Sequence, residues 1–219
     1  MARMPRLVVP GYPHHVTQRG ARRMQTFFSP DDYQYYLDLV SHYKALVGVS
    51  IWAYCLMPNH VHFVAVPAEE DSLARLFRRV HREYTRAINF RHKWRGHLWQ
   101  ERFNSFVMDE EYLLATVRYV ELNPVKAKLC ESPESWSWSS AEVHLQGVDD
   151  AVVEVAPMLQ RITNWREYLS MSPFEGEYEA IRRFSSSGRP AGDGRFIEQL
   201  EALTGRRLGK GKQGPKARV

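Results

Sequence analysis

Cysteine is scarce in this chain: Cys55 and Cys130 are the only two among 219 residues. One disulfide is arithmetically possible, but nothing else marks a secreted, disulfide-stapled domain. Cys55 lies in the apolar run Ile51 to Met57 and reads as a small buried hydrophobe, not a catalytic thiol. No apolar run is long enough for a helix to cross a bilayer. Met1 to Pro10 carries basic residues but no apolar stretch of signal length, so a cytoplasmic, nucleoid-associated protein is expected. A glycine-rich phosphate loop of the Walker type is missing, and no internal repeat is visible.

What is present is ordinary globular composition, 44% hydrophobic and 25% charged. That is enough for one substantial core and a smaller second unit. The formal net charge of +5 agrees with a polyanionic partner. The placement of the basic residues says more than their excess.

Tyr12 to Arg19 reads as a short strand ended by Gly20, followed by a basic loop through Arg22 and Arg23. Ser29-Pro30-Asp31-Asp32 is a helix start, and the helix runs to Leu46 with Tyr33, Tyr36, Leu37, Val40 and Tyr43 at helical spacing. This aromatic stripe is read as core. Val49 to Met57 and His60 to Val66 are strands joined by the turn pair Pro58-Asn59. Glu70 to Phe90 is a helix with one apolar face and another carrying Arg75, Arg78, Arg79, Arg82 and Arg86. A strand over roughly Leu98 to Val107 and a helix from Asp109 to about Asn123 complete the series. The first six elements predict an α+β fold, a ferredoxin-like antiparallel sheet with helices packed on it.

Beyond this unit, residues 1–130, residues 131–205 read as a mainly helical extension and residues 206–219 as a basic tail, disordered when free. Within the extension, Ser185-Ser186-Ser187-Gly188 and Gly192-Asp193-Gly194 look like linkers, and Phe196 to Thr204 like a short helix.

His60-Val61-His62 lies in a strand, where side chains two apart share a face, so both imidazoles can converge on one cation. A bare HxH is more often two polar residues on a solvent-facing strand. Tyr119 and Asn123 are four apart on the later helix and share its face. A phenol and an amide carbonyl can then reach one ion or one phosphate. Singly, Tyr119 reads as a packing tyrosine and Asn123 before Pro124 as a helix terminator. Together they have a mechanistic sense. A tyrosine with an unperturbed pKa of about 10 is a poor nucleophile at neutral pH. A divalent cation offsets this by polarising the scissile phosphate and stabilising the departing oxygen. In-line attack would leave a 5′-phosphotyrosine and a free 3′-hydroxyl, with no ATP needed for rejoining.

At these residues a resemblance appears. The string Tyr54-Cys55-Leu56-Met57-Pro58-Asn59-His60-Val61-His62-Phe63-Val64 resembles the HUH segment of single-tyrosine transposases. Arg118 to Ala127 resembles their nucleophile helix, and Tyr12 to Gly20 and Gly96 to Phe103 are also similar to that family. The resemblance covers most of residues 5–130 and points to the branch of REP-associated tyrosine transposases. The segment from Gly188-Arg189-Pro190 through Arg206-Arg207-Leu208 is similar to the same branch. The resemblance implies Mg²⁺ or Mn²⁺ as cofactor and single-stranded DNA with a hairpin (repetitive palindromic elements) as partner. It implies His60 and His62 as metal ligands, Tyr119 as nucleophile and Asn123 in the place of the third ligand, a glutamine in some members. Whether Tyr119 meets the histidines of its own chain or of a partner stays open, as does monomer against homodimer.

Expected DNA contacts are Arg19, Arg22 and Arg23 beside the first strand, the stripe Arg78, Arg79, Arg82 and Arg86, the mixed group Arg95, Trp99 and Arg102, and Arg206 and Arg207 with Lys210, Lys212, Lys216 and Arg218 in the tail. For each arginine alone, a solvated surface charge is as good a reading. His14, His15 and His97 are read as packing or hydrogen-bonding residues. Two other functions remain: a catalytically retired DNA-hairpin-binding protein, and a zinc protein using the same histidines.

Overall fold

The helix-start signal at Ser29-Pro30 works as expected. A computed structural model, which describes residues 6–173 and 176–209, places α1 at Pro30–Leu46. The Asp32 carboxylate accepts from the Phe28 and Ser29 N–H groups at 2.7 and 3.1 Å. Residues at a helix start have no helical partner for their N–H groups, and Asp32 meets part of that need locally. It also pairs with Arg91 at 2.6 Å. Tyr33, Tyr36, Leu37 and Val40 are buried, so the aromatic stripe is core.

The strands are β1 (His14–Arg19), β2 (Val49–Met57), β3 (His60–Pro67) and β4 (Asn104–Val107). All pair antiparallel in the order β2-β3-β1-β4. With α1 after β1 and α2 (Ser72–His92) between β3 and β4, this is the expected ferredoxin-like α+β arrangement. Strand alternation sorts the side chains onto two faces. Val16, Val61, Phe63 and Ala65 meet α1 and α2 in one core. Cys55, Val64 and Phe106 meet Leu113, Val117 and Val120 of α3 (Glu110–Glu121) in a second core. The sheet is therefore covered on both sides. Cys55 is fully buried and, like Cys130, a free thiol.

Gly20 ends β1 for a steric reason. A Cβ there would lie 2.3 Å from the Met24 carbonyl oxygen and 2.7 Å from Thr26 Cγ2. The chain then turns through Arg22 and Arg23, both with positive φ (54° and 63°). The strand expected over Leu98 to Val107 is shorter than its sequence pattern. Gln100 N–H donates to the Arg19 carbonyl and Ala21 N–H to the Leu98 carbonyl, each at 2.8 Å. Extended geometry breaks at Glu101, φ 54°, and resumes only at Asn104.

Helix α3 is capped by Asp109, which accepts from Tyr112 N–H at 2.9 Å and from Asp193 N–H at 3.1 Å. Pro124 then fits the first turn of the one-turn α4 (Asn123–Lys126). The extension adds α5 (Ala141–Gln146), α6 (Ala156–Leu159), α7 (Trp165–Ser170), α8 (Glu177–Ser187) and α9 (Gly194–Thr204). The serine run expected as a linker is the last turn of α8, because Ile181 is buried in the second core with Tyr178 and Phe184 against it. Gly188 (φ 68°) closes that helix. Asp193 caps α9 by accepting from Phe196 N–H at 2.7 Å. The described part of the expected tail, Arg206 to Gly209, is seated on the body: Leu208 is buried, and the Leu208 and Gly209 N–H groups donate to Glu201 at 2.5 and 2.9 Å. Lys210, Lys212, Lys216 and Arg218 lie outside the described residues. Among those described, no helix is long and apolar enough to cross a membrane.

Candidate active site

The site stands where β1 and β3 run side by side, with Thr17 opposite His62 and Arg19 opposite His60. His60 and His62 share the sheet face that α3 covers, and α3 brings Tyr119 over them. The Tyr119 ring centroid lies 5.6 Å from that of His62 and 6.3 Å from that of His15, edge-on to both. Tyr119, His60 and His62 line a pocket of about 320 Å³, with Arg19, Arg102 and Arg182 among its walls.

The hydrogen bonds constrain which ring nitrogens are available. Asn59 Nδ2 donates to the Arg23 carbonyl at 3.1 Å. Its oxygen, 2.6 Å from His60 Nδ1, must accept from that nitrogen, which leaves His60 Nε2 with a lone pair. His62 Nδ1 lies 3.0 Å from His15 Nε2, and His15 Nδ1 lies 3.2 Å from Ser185 Oγ on α8. Two tautomer patterns satisfy this chain. In one, His62 donates to His15 and keeps a lone pair on Nε2. In the other, His62 Nε2 carries a hydrogen. Either way His62 Nε2 is buried with no partner, an uncommon and costly state for a polar atom.

Burial holds these rings neutral. His15 is lowered to about 3 by desolvation, and His60 to about 3 by desolvation with the Arg19 charge adding to it. His62 is pushed well below the ordinary range, first by burial and then by its neighbours His60, His15 and Arg19. Neutral imidazole is the form that ligates metals. Two imidazoles two residues apart on a strand therefore suit a divalent cation. Among the described residues no third His, Cys, Asp or Glu joins them, so a further protein donor would be an amide or hydroxyl oxygen. Asn123 has such an oxygen, but its Nδ2 donates to the Tyr119 carbonyl at 3.2 Å, and the residue is not part of the pocket wall.

Two buried charges flank the tyrosine and fasten its helix to the extension. Arg118 pairs with Glu177 at 2.6 Å. Glu121 accepts from Ser140 Oγ at 2.5 Å and from Trp165 Nε1 at 2.9 Å, and meets His144 Nδ1 at 2.6 Å. Tyr168 adds a hydroxyl bond to the Leu114 carbonyl and accepts from Arg118 N–H at 3.1 Å. The Tyr119 ring itself rests against Tyr178 of α8, centroids 5.3 Å apart.

Of the expected DNA contacts, Arg19 and Arg102 are exposed at the pocket, and Arg22 and Arg23 are exposed on the adjoining turn. Arg95 and Arg207 are exposed, and Arg206 donates to the Arg6 carbonyl at 3.2 Å. Arg78, Arg79, Arg82 and Arg86 line a groove on the outer side of α1 and α2, across the sheet from the pocket. Trp99 is a correction. Expected to stack bases, it is only 7% exposed and packs on Phe27, Tyr36, Tyr84 and His81, leaving no ring face for a base. His14 is structural, accepting from Val9 N–H at 3.1 Å and donating to the Tyr12 carbonyl at 2.8 Å. His97 is exposed and not in the pocket wall. Sequence reading missed Arg182, Ser185 and Ser186, which α8 brings to the pocket. It also missed Gln18, whose amide donates to the Gln100 carbonyl at 3.0 Å and holds the wall segment to β1.

Residues 9–123, more than half of the chain, match the family described as IS200-like transposases. Among solved structures, a REP-associated tyrosine transposase bound to a REP hairpin superposes with a TM-score of 0.58 at 21% identity, covering 71% of this chain and 93% of that one. A putative transposase from Deinococcus radiodurans R1 is also 21% identical, with a TM-score of 0.38 over 55% of this chain and 96% of that one. No curated protein matches. At 21% identity the likeness to the hairpin-bound structure shows the fold alone.

Proposed function

Because the chain belongs to the IS200-like transposase family, we propose that it is a single-tyrosine transesterase that nicks and rejoins single-stranded DNA beside a hairpin. One observation carries this reading. The Tyr119 ring and the unpartnered His62 Nε2 meet at a single pocket with arginines in its wall.

In this reading Arg19, Arg102 and Arg182 receive the phosphates of the bound strand, and Arg22, Arg23 and Arg207 contact its neighbours. Tyr119 Oη attacks the scissile phosphorus in line with the P–O3′ bond. The Oη–P bond forms as P–O3′ breaks. The phenolic proton passes to solvent, and the departing oxygen takes one up to leave as a 3′-hydroxyl. The product is a 5′-phosphotyrosine, and attack by a 3′-hydroxyl reverses the step and rejoins the strand. His60 and His62 would hold Mg²⁺ or Mn²⁺ through Nε2, with Asn123 Oδ1 joining once its amide leaves the Tyr119 carbonyl. A cation held there would supply polarisation of the phosphate and charge stabilisation at the leaving oxygen. The buried bonds at Arg118 and Glu121 keep α3, and hence the nucleophile, in position. The proposed partner is a repetitive palindromic hairpin.

Incubation with end-labelled single-stranded hairpin DNA and Mn²⁺ tests this. A covalent protein–DNA adduct is expected from the natural chain and not from Tyr119→Phe. An undiminished adduct in the variant overturns the assignment of the nucleophile. Hairpin binding with no adduct from either protein favours a retired hairpin-binding relative.

A further inference from the structure

Three concavities follow one another around the molecule. The pocket at Tyr119 shares Arg102 with a cavity of about 300 Å³ whose wall includes Arg78, Phe77 and Phe103. That cavity shares Arg78 with the groove of about 950 Å³ on the outer side of α1 and α2. The three are thus neighbours, the first two meeting at Glu101 and Arg102 and the last two at Arg78, in a series from one sheet face to the other beside the segment that leads into β4.

The groove is built for an anion. It presents the guanidinium groups of Arg78, Arg79, Arg82 and Arg86 and a single carboxylate, Glu83, which the Tyr43 hydroxyl already engages. Among the described residues, none of these four arginines, nor Arg102, has a carboxylate within ion-pair distance. By contrast Arg75, one turn earlier on α2, is paired with Glu69 and Asp71. The groove also has aromatic surface open to solvent: Phe90 is 88% exposed, and Tyr35, stacked on the core residue Tyr84 by one face, is 38% exposed. Guanidinium groups interleaved with open rings suit a backbone that carries both phosphates and unstacked bases.

We infer that the strand held at Tyr119 continues as single-stranded DNA past Arg102 and Arg78 into the α1–α2 groove, where Tyr35 and Phe90 stack its bases. The inference rests on DNA being the substrate of the pocket. It selects a single strand over a duplex for a mechanical reason. The path bends around the margin of the sheet within one small molecule, whereas duplex DNA stays stiff over about 150 base pairs.

The test is binding of fluorescently labelled oligothymidylates to the full chain without added metal. Strands of about 6, 12 and 24 nucleotides are compared with a 24-base-pair duplex, lengths chosen from the usual range of single-strand site sizes. Affinity is expected to rise with strand length. Arg82→Glu/Arg86→Glu should reduce it at least tenfold for the long strand and less than twofold for the short one, with a smaller salt dependence for the long strand. Phe90→Ala should weaken the long strand alone. Arg102→Glu should weaken both. Equal loss at every length in the Arg82/Arg86 variant, no loss at all, or a duplex bound as tightly as the long strand would each overturn the path. Because no nicking is needed in this assay, a chain unable to form the tyrosine adduct still passes or fails it independently.

Discussion

Trp165 Nε1 donates to Glu121 Oε2 at 2.9 Å, a hydrogen bond buried at both ends that fastens the helix carrying Tyr119 to α7 of the extension. Three donors converge on this one carboxylate, so its removal strands Trp165 Nε1 and His144 Nδ1 and leaves Ser140 Oγ only the Tyr54 carbonyl at 3.3 Å. Glu121→Ala is expected to cost about 3 kcal/mol, read as a lower urea midpoint, and to reduce adduct formation under conditions where the chain is still folded. Trp165→Phe loses one donor and should cost about 1 kcal/mol. A midpoint unmoved by Glu121→Ala would mean the network is not stabilising.

The tautomer of His62 is open to direct measurement. If His62 is a ligand through Nε2, its Nδ1 must carry the hydrogen that His15 Nε2 accepts. Long-range ¹H–¹⁵N correlation spectra of the metal-free chain should show that form. His15→Leu removes the acceptor, and Mn²⁺ affinity by calorimetry should fall about 10- to 100-fold, while His15→Gln retains most of it. Spectra showing hydrogen on Nε2, or equal affinity in the two variants, would reject the orienting role.

Asn123 has two readings that a pair of variants separates. As a metal donor, Asn123→Ala should lower Mn²⁺ affinity about tenfold and Asn123→Gln should not. As a side chain that only closes the α3–α4 junction through the Tyr119 carbonyl, both variants would change thermal stability slightly and leave Mn²⁺ binding untouched.

His14 predicts a pH dependence of stability. Burial lowers it from 6.5 to about 4, with the Tyr12 carbonyl working the other way. The unfolded chain takes up this proton as pH falls through about 6.5, whereas the folded chain resists until about pH 4. Its contribution is therefore complete above pH 6.5 and is lost as pH drops toward 4, roughly 3 kcal/mol in all. Between those values, unfolding free energy should fall more steeply in the natural chain than in His14→Gln. Parallel profiles would show that His14 is not responsible.

Much of the frame is legible from local chemistry. Ser29-Pro30 and Gly48 bound α1, Pro58-Asn59 joins β2 to β3, and strand alternation puts His60 and His62 on one face. Those signals act within a few residues. What escaped depends on distant partners. Trp99 among basic residues reads as a platform for bases, and only the packing of Phe27, Tyr36 and Tyr84 makes it core. Nothing local marks Arg118 and Glu121 as buried, because their partners come from 19 to 59 residues further along. Ser185 sits in a run that looks like linker and becomes helical because Ile181 has a core to enter.

Asn59 spans more than a hairpin turn. One face of its carboxamide holds the carbonyl of Arg23 and the other holds His60. Arg22 and Arg23 both occupy the left-handed backbone region that side chains disfavour. The basic turn thus holds a disfavoured backbone conformation, and His60, in the same pocket wall as Tyr119, is tied to it through Asn59. If the proposed function holds, a phosphate drawn to those guanidinium groups would act on the same turn that Asn59 ties to His60, so strand binding and the orientation of that imidazole would be linked through one carboxamide.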